Sequence, residues 1–119
     1  MIITSIEGQK VQKITAENSC DKHGNFPESN AYGENISNSC EDILDHNKEY
    51  VEEILVFDFD GMASGSIYIV FKDNVQKDMI PYKVAHSLAY TSPDEMDFLD
   101  PKEIEPFDPT RKILRVWWD

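Results

Sequence analysis

The chain has 119 residues, 40% of them hydrophobic, and its 23 acidic and 11 basic side chains leave a net charge of −12. That length fits one domain spanning residues 1–119 and burying about two-thirds of its unfolded surface, and no stretch approaches the roughly 20 apolar residues of a membrane-spanning helix. Direct nucleic-acid binding draws its affinity from Lys and Arg on phosphates, so the charge excludes it, and it excludes anionic membrane surfaces on the same grounds.

The first ten residues, MIITSIEGQK, lack the charged start, long apolar run and small-residue cleavage site of a secretory leader. A cytoplasmic location is therefore expected, with Cys20 and Cys40 as reduced thiols. Residues 2–6 and 11–15 are short β-branched runs around Glu7-Gly8-Gln9-Lys10, the pattern of a hairpin. In residues 17–40, Gly, Pro, Asn and Ser fill 12 of 24 positions, which predicts a long polar loop carrying Phe26 and Tyr32.

A helix is expected from Asn38 or Ser39, either of which can cap it. Cys40, Ile43, Leu44, Asn47 and Val51 share one face, while Glu41, Asp45 and Glu49 repeat every four residues as an outer acidic stripe. Like charges at that spacing repel, so water or a cationic partner must relieve them. Cys20, His23, Cys40 and His46 spell C-x2-H and C-x5-H. Structural zinc sites pair their ligands at tighter and more regular spacing, so neither a metal nor a cofactor is expected.

Residues 54–59 and 66–71 are β-rich runs separated by a Gly-bearing turn and read as a central hairpin. The first run ends in Asp58-Phe59-Asp60-Gly61, which resembles the nucleophile motif of the haloacid-dehalogenase-type phosphatases. That resemblance implies an aspartate nucleophile at Asp58 and an acid/base at Asp60, on a strand that leads into a helix within a parallel sheet. Here the motif leads straight into another strand, and Met62 stands where the family has Thr or Val. One βαβ unit alone takes about 30 residues or more, and no later strand ends in the Ser/Thr, lysine or acidic pair that the family requires. The same residues fail as a calcium loop, since Met62 occupies a ligand position and no bidentate Glu closes the loop. Asp58 and Asp60 are therefore read as a polar strand end and a turn former, and no catalytic residue is assigned.

Asp78 as a cap and Pro81 in the first turn predict a second helix over 79–90, with Tyr82, Ala85, Leu88 and Ala89 on its apolar face. His86 and Ser87 are adjacent on it and point apart. Ser92-Pro93-Asp94-Glu95 reads as a capping box opening a short turn through Leu99, and Pro101, Pro106 and Pro109 restrict the acidic segment 93–109 to single turns or an edge strand. Residues 112–118 form a terminal strand whose adjacent Trp117 and Trp118 must face opposite ways. The expected fold class is α+β: an antiparallel sheet of about four to six strands with two main helices packed on it.

The excess charge is concentrated. Residues 41–60 carry a net −7 and residues 93–108 a net −6, leaving +1 on the rest of the chain. Such self-repulsion exceeds what solubility needs. The expected function is a small acidic inhibitor that occludes a basic protein, a toxin or nucleic-acid enzyme, as bacterial immunity proteins and phage anti-defence proteins do. Its partner-binding residues are expected to be Glu41, Asp45 and Glu49 together with Asp94, Glu95, Asp97, Phe98, Asp100, Glu103 and Phe107. The alternative is a small-molecule-binding domain or small enzyme using the long loop and the Arg111/Arg115 end.

Overall fold

The computed structural model describes residues 2–13, 31–57, 66–89 and 91–118. β1 (Ser5–Ile6) and β2 (Gln9–Lys13) form the expected N-terminal hairpin. Glu7 and Gly8 make its turn with φ of 52° and 77°, the mirror-image turn whose twist matches paired strands. A Cβ on Gly8 would meet no atom within 4 Å, so glycine suits this position for its backbone freedom and not for space.

α1 (Ala31–His46) starts at Ala31 rather than at Asn38 or Ser39, which corrects the expected 17–40 loop over residues 31–40. Residues 14–30 lie outside the described residues, and with them Cys20, His23 and Phe26. Asn and Ser are weak helix formers rather than breakers, and Gly costs about 1 kcal/mol against Ala. Packing of the second half, where Cys40 and Ile43 are fully buried, offsets those costs. Tyr32, Ile36, Cys40 and Ile43 stand at helical spacing in the sequence, a signal that composition masked.

β3 (Val51–Phe57) and β4 (Ser66–Phe71) pair antiparallel, as expected of the central hairpin. Its connection, residues 58–65, lies outside the described residues, and so do Asp58 and Asp60. α2 (Tyr82–Ala89) is shorter than the span 79–90. Its buried side chains are Val84, Ser87 and Leu88, whereas Tyr82, expected on the apolar face, is 80% exposed. Asp78 sits at φ 60° and Ser92 at φ 48°. An N-cap takes extended backbone, so neither residue caps a helix. β5 (Glu95–Phe98) accordingly replaces the turn expected to open at Ser92. β6 (Ile104–Glu105) and β7 (Ile113–Trp117) complete the sheet.

The sheet has seven strands, in the order β5-β7-β4-β3-β2-β1-β6, every described pair antiparallel. The α+β class stands, while the expected four to six strands becomes seven because the acidic segment supplies both edges. Edges are where a proline-bearing segment can pair, since one side needs no amide donors.

Edge strands this close in sequence force curvature. Phe98 and Ile104 are six residues apart and can span at most about 21 Å, whereas six interstrand spacings across a flat sheet measure about 29 Å. The sheet therefore curls, and Pro101–Glu103 makes a 3-10 turn between its edges. Leu99 N–H donates to the Ile113 carbonyl at 2.8 Å on one side, and Glu7 N–H to the Glu103 carbonyl at 2.7 Å on the other.

Each face then has its own core. The helix-covered face joins Cys40, Ile43, Val84 and Leu88 to Ile54, Ile69, Leu114, Val116 and Trp118. The concave face holds Ile3, Ile6, Val11, Leu55, Tyr68, Val70, Ile104 and Ile113. Trp118 is buried and donates its indole N–H to the Thr91 carbonyl at 3.0 Å, tying β7 to the end of α2, whereas Trp117 stays exposed. That split is what strand alternation requires.

Candidate functional site

The acidic stripe forms only in part: Glu41 and Asp45 are exposed on α1, but the helix ends at His46, so Glu49 is exposed in the turn that follows and Val51 opens β3 rather than extending the inner helix face. Segment 94–108 is different, because much of it is engaged with the chain itself. β5 places Asp97 opposite Arg115 and Glu95 opposite Trp117. Asp97 and Arg115 meet at 3.1 and 3.3 Å in a two-pronged contact. Glu7, carried across the curl by the first hairpin, accepts from the same guanidinium at 3.2 Å, and Glu95 lies at 3.7 Å. Burial alone would lower the Arg115 pKa, but the Asp97 hydrogen bond and the charges of Asp97 and Glu7 raise it overall. Beneath them, burial and then the Glu7 charge push the Tyr68 phenol up.

Asp100 accepts from Lys102 N–H at 3.0 Å and caps the 3-10 turn. Asp108 accepts from the Thr110 hydroxyl at 2.7 Å and its N–H at 3.0 Å, bonds that hold the carboxyl below its usual range. Phe98 is half-buried, its ring 6.1 Å from Phe71 and packed against the helix-side core. Asp94 and Glu103 are exposed, as is the Phe107 ring. Of the expected partner-binding residues, Glu41, Asp45, Glu49, Asp94, Glu103 and Phe107 are exposed. The structure also places Glu95, Asp97, Phe98 and Asp100 in the side-chain contacts given above.

Several cations are bonded within the chain, although most of the described lysines are exposed. Arg111 donates to Glu52 at 2.6 Å and lies 3.6 Å from Asp108. Lys112 Nζ donates to the carbonyls of Asp73 and Val75, and Lys72 Nζ to that of Lys48. Arg111 and Arg115 are thus paired with carboxylates, and cavities of about 320 and 460 Å³ adjoin Arg111.

A second polar cluster lies on the seam of the two helices. Ser87 Oγ–H donates to Asp42 Oδ2 at 2.6 Å, His46 Nδ1 lies 2.9 Å from Asp42 Oδ1, and Ser39 Oγ–H donates to the Ser87 carbonyl at 3.1 Å. The Ser87 hydrogen bond lowers the Asp42 pKa, helped by His46. Nucleophile activation needs the imidazole between serine and carboxylate. Here the carboxylate is in the middle and receives the serine proton's hydrogen bond, so the seam is a helix–helix tie. Sequence reasoning set His86 beside Ser87 and missed this, because Asp42 is 45 residues away along the chain.

Cys40 and His46 cannot share a metal. Six residues along one helix rise about 9 Å and turn about 240°, Cys40 is buried, and His46 is exposed. Burial pushes the Cys40 thiol up to about 12. Among the described residues no group of three or more His, Cys, Asp or Glu is placed to hold a metal ion.

A groove of about 850 Å³ lies between the α1–β3 turn and the chain entering α2, lined by Glu49, Tyr50, Asn74, Met79, Tyr82 and Lys83 among others. Asn74 Nδ2–H donates to the Glu49 carbonyl at 2.8 Å and fixes one wall. Among the described residues no helix is long and apolar enough to cross a membrane. Comparison with known families, curated proteins and solved structures finds no match to this chain.

Proposed function

We propose that this protein is a binder that occludes a basic protein, a toxin or a nucleic-acid-acting enzyme, with its carboxylates standing in for phosphates. The observation that supports the reading is the exposed carboxylate surface: Glu41 and Asp45 on α1 and Glu49 in its following turn are all exposed. On a chain of net −12 this leaves a surface that attracts cations and speeds their association. Such a role is the one immunity and anti-defence inhibitors fill, and it needs no turnover.

The contact surface is proposed to centre on the α1 stripe, with Asp94, Glu103 and Phe107 contributing from the other acidic segment. Neutralising Glu41, Asp45 and Glu49 together should slow association and flatten its salt dependence between about 50 and 300 mM, where the Debye length falls from about 14 to 6 Å. The test is capture: immobilised protein should retain a basic protein in stoichiometric amount at low salt, and should inhibit that protein's action on nucleic acid. Retention of no basic protein, or equal association rates for wild type and the triple variant at every salt concentration, would overturn the reading.

The alternative, a small-molecule-binding domain or small enzyme using the long loop and the Arg111/Arg115 end, is less favoured because those arginines are paired with Glu52, Asp108 and Asp97.

A further inference from the structure

We infer that the groove beside α2 seats an arginine-bearing segment of the partner, an inference that rests on the binding reading above. Six large apolar side chains are exposed among the described residues, and two of them, Met79 at 55% and Tyr82 at 80%, line this one groove. Tyr82 is not loose: its ring stacks on His86, one turn along α2, with centroids 5.9 Å apart and planes at 24°. The stack holds the ring in place while its remaining surface stays open.

Tyr50 supplies a second ring, Asn74 an amide, and Glu49 the carboxylate. Aromatic faces, a carboxylate and amide acceptors around an apolar groove match guanidinium more closely than ammonium. Guanidinium is planar and weakly hydrated, stacks on rings, and carries five donors in a fixed fork. The charge favours the same occupant. Glu49 follows the C-terminal end of α1, where the helix dipole is negative, and the whole chain carries −12. An anionic guest would meet both, and a purely apolar segment would gain from neither. Lys83 is the one cation among the lining residues, and it opposes the guest. At about 850 Å³ the groove holds more than one side chain, so neighbouring residues of the segment enter with the arginine.

The probe is an acetylated, amidated Gly-Arg-Gly-Arg-Gly peptide, titrated into the full chain and followed by amide chemical shifts, beside the same peptide with citrulline for arginine. The arginine peptide should shift Glu49, Tyr50, Asn74, Tyr82 and Lys83, and the citrulline peptide should shift them far less at equal concentration. Tyr82→Leu, on an exposed ring whose loss leaves the core intact, should weaken binding about two- to fivefold, as loss of one cation–π contact does. Glu49→Gln should weaken it similarly, and Lys83→Gln should tighten it. Equal binding of the citrulline peptide, or shifts confined to Glu41 and Asp45, would overturn the assignment. If the peptide titrates the groove but capture yields no basic protein, the groove stands and the partner reading falls. If Tyr82→Leu and Glu49→Gln capture a basic protein as well as wild type, the groove assignment falls and the partner reading stands.

Discussion

Replacing Asn47 with leucine should stabilise the protein. Asn47, the residue that follows α1, is buried at 1% exposure, and neither its Nδ2 nor its Oδ1 has a hydrogen-bond partner. Its backbone is well used: its N–H donates to Ile43 at 3.0 Å, and its carbonyl accepts from Tyr50 at 3.0 Å and Val51 at 2.8 Å. None of those bonds depends on the side chain. The residue is also not among those with positive φ, so leucine meets no backbone strain there. A buried polar group without a partner costs about 1–3 kcal/mol, and a leucine of similar volume removes that cost at an expense in packing fit of about 1 kcal/mol. The expected gain is about 1 kcal/mol. With an unfolding entropy of about 2.1 cal/mol/K per residue over 119 residues, Tm should rise by about 4 °C. Calorimetry gives Tm, and urea titration should move the midpoint without changing the slope. Asn47→Ala, which leaves a void, should gain less than leucine or nothing. A lower Tm for Asn47→Leu would refute the reasoning and show that an internal water satisfies the amide in solution.

Four further outcomes are expected. Cys40, buried and with its pKa pushed up to about 12, should resist iodoacetamide at pH 8 in the native protein and react once urea unfolds it, as peptide mapping would read. The pKa of Asp42 is lowered in the fold, so its contribution to stability is present above the unfolded value of about 3.9 and lost as pH falls through the folded value. Since its side chain is half exposed, Asp42→Asn should cost well under ~1 kcal/mol at pH 7 and nothing at about pH 2, by urea titration at each pH. Phe98→Ala should cost about 2 kcal/mol of stability, because the ring packs against Phe71 in the helix-side core, and an unchanged midpoint would place the ring outside that core. Asp58→Asn and Asp60→Asn should leave any activity of the protein intact, and a magnesium-dependent phosphatase activity abolished by Asp58→Asn would restore the meaning of the motif resemblance.

Local chemistry in the chain was enough to define several elements. The β-branched runs flanking Glu7-Gly8 specify a hairpin, the apolar runs 54–59 and 66–71 specify two central strands, and the alternation in 112–118 separates a buried from an exposed tryptophan. Each rests on neighbours within a few residues, where turn geometry and the two-residue strand period act directly. The spacing of Cys40, Ile43 and Leu44 likewise identified the inner face of α1, though not where the helix begins, nor that it ends before Asn47 and Val51. Its first turns are built from weak helix formers, and packing of the second half holds them.

The acidic surface is where sequence alone reaches its limit. Carboxylates can be counted along the chain, but their roles depend on which cations the fold brings to them. Glu7 and Asp97 meet on Arg115 only because the sheet curls and its two edges come from one short segment. Asp42 and Ser87 meet only because α1 and α2 pack side by side. The groove carrying Tyr82 and Met79 exists only where the α1–β3 turn faces the approach to α2. Composition determined that the chain is strongly acidic, and local periodicity that it is of the α+β class. Tertiary structure decided which charges are spent inside it and which face outward, because an ion pair or a groove is a relation between distant residues, and no local period records it.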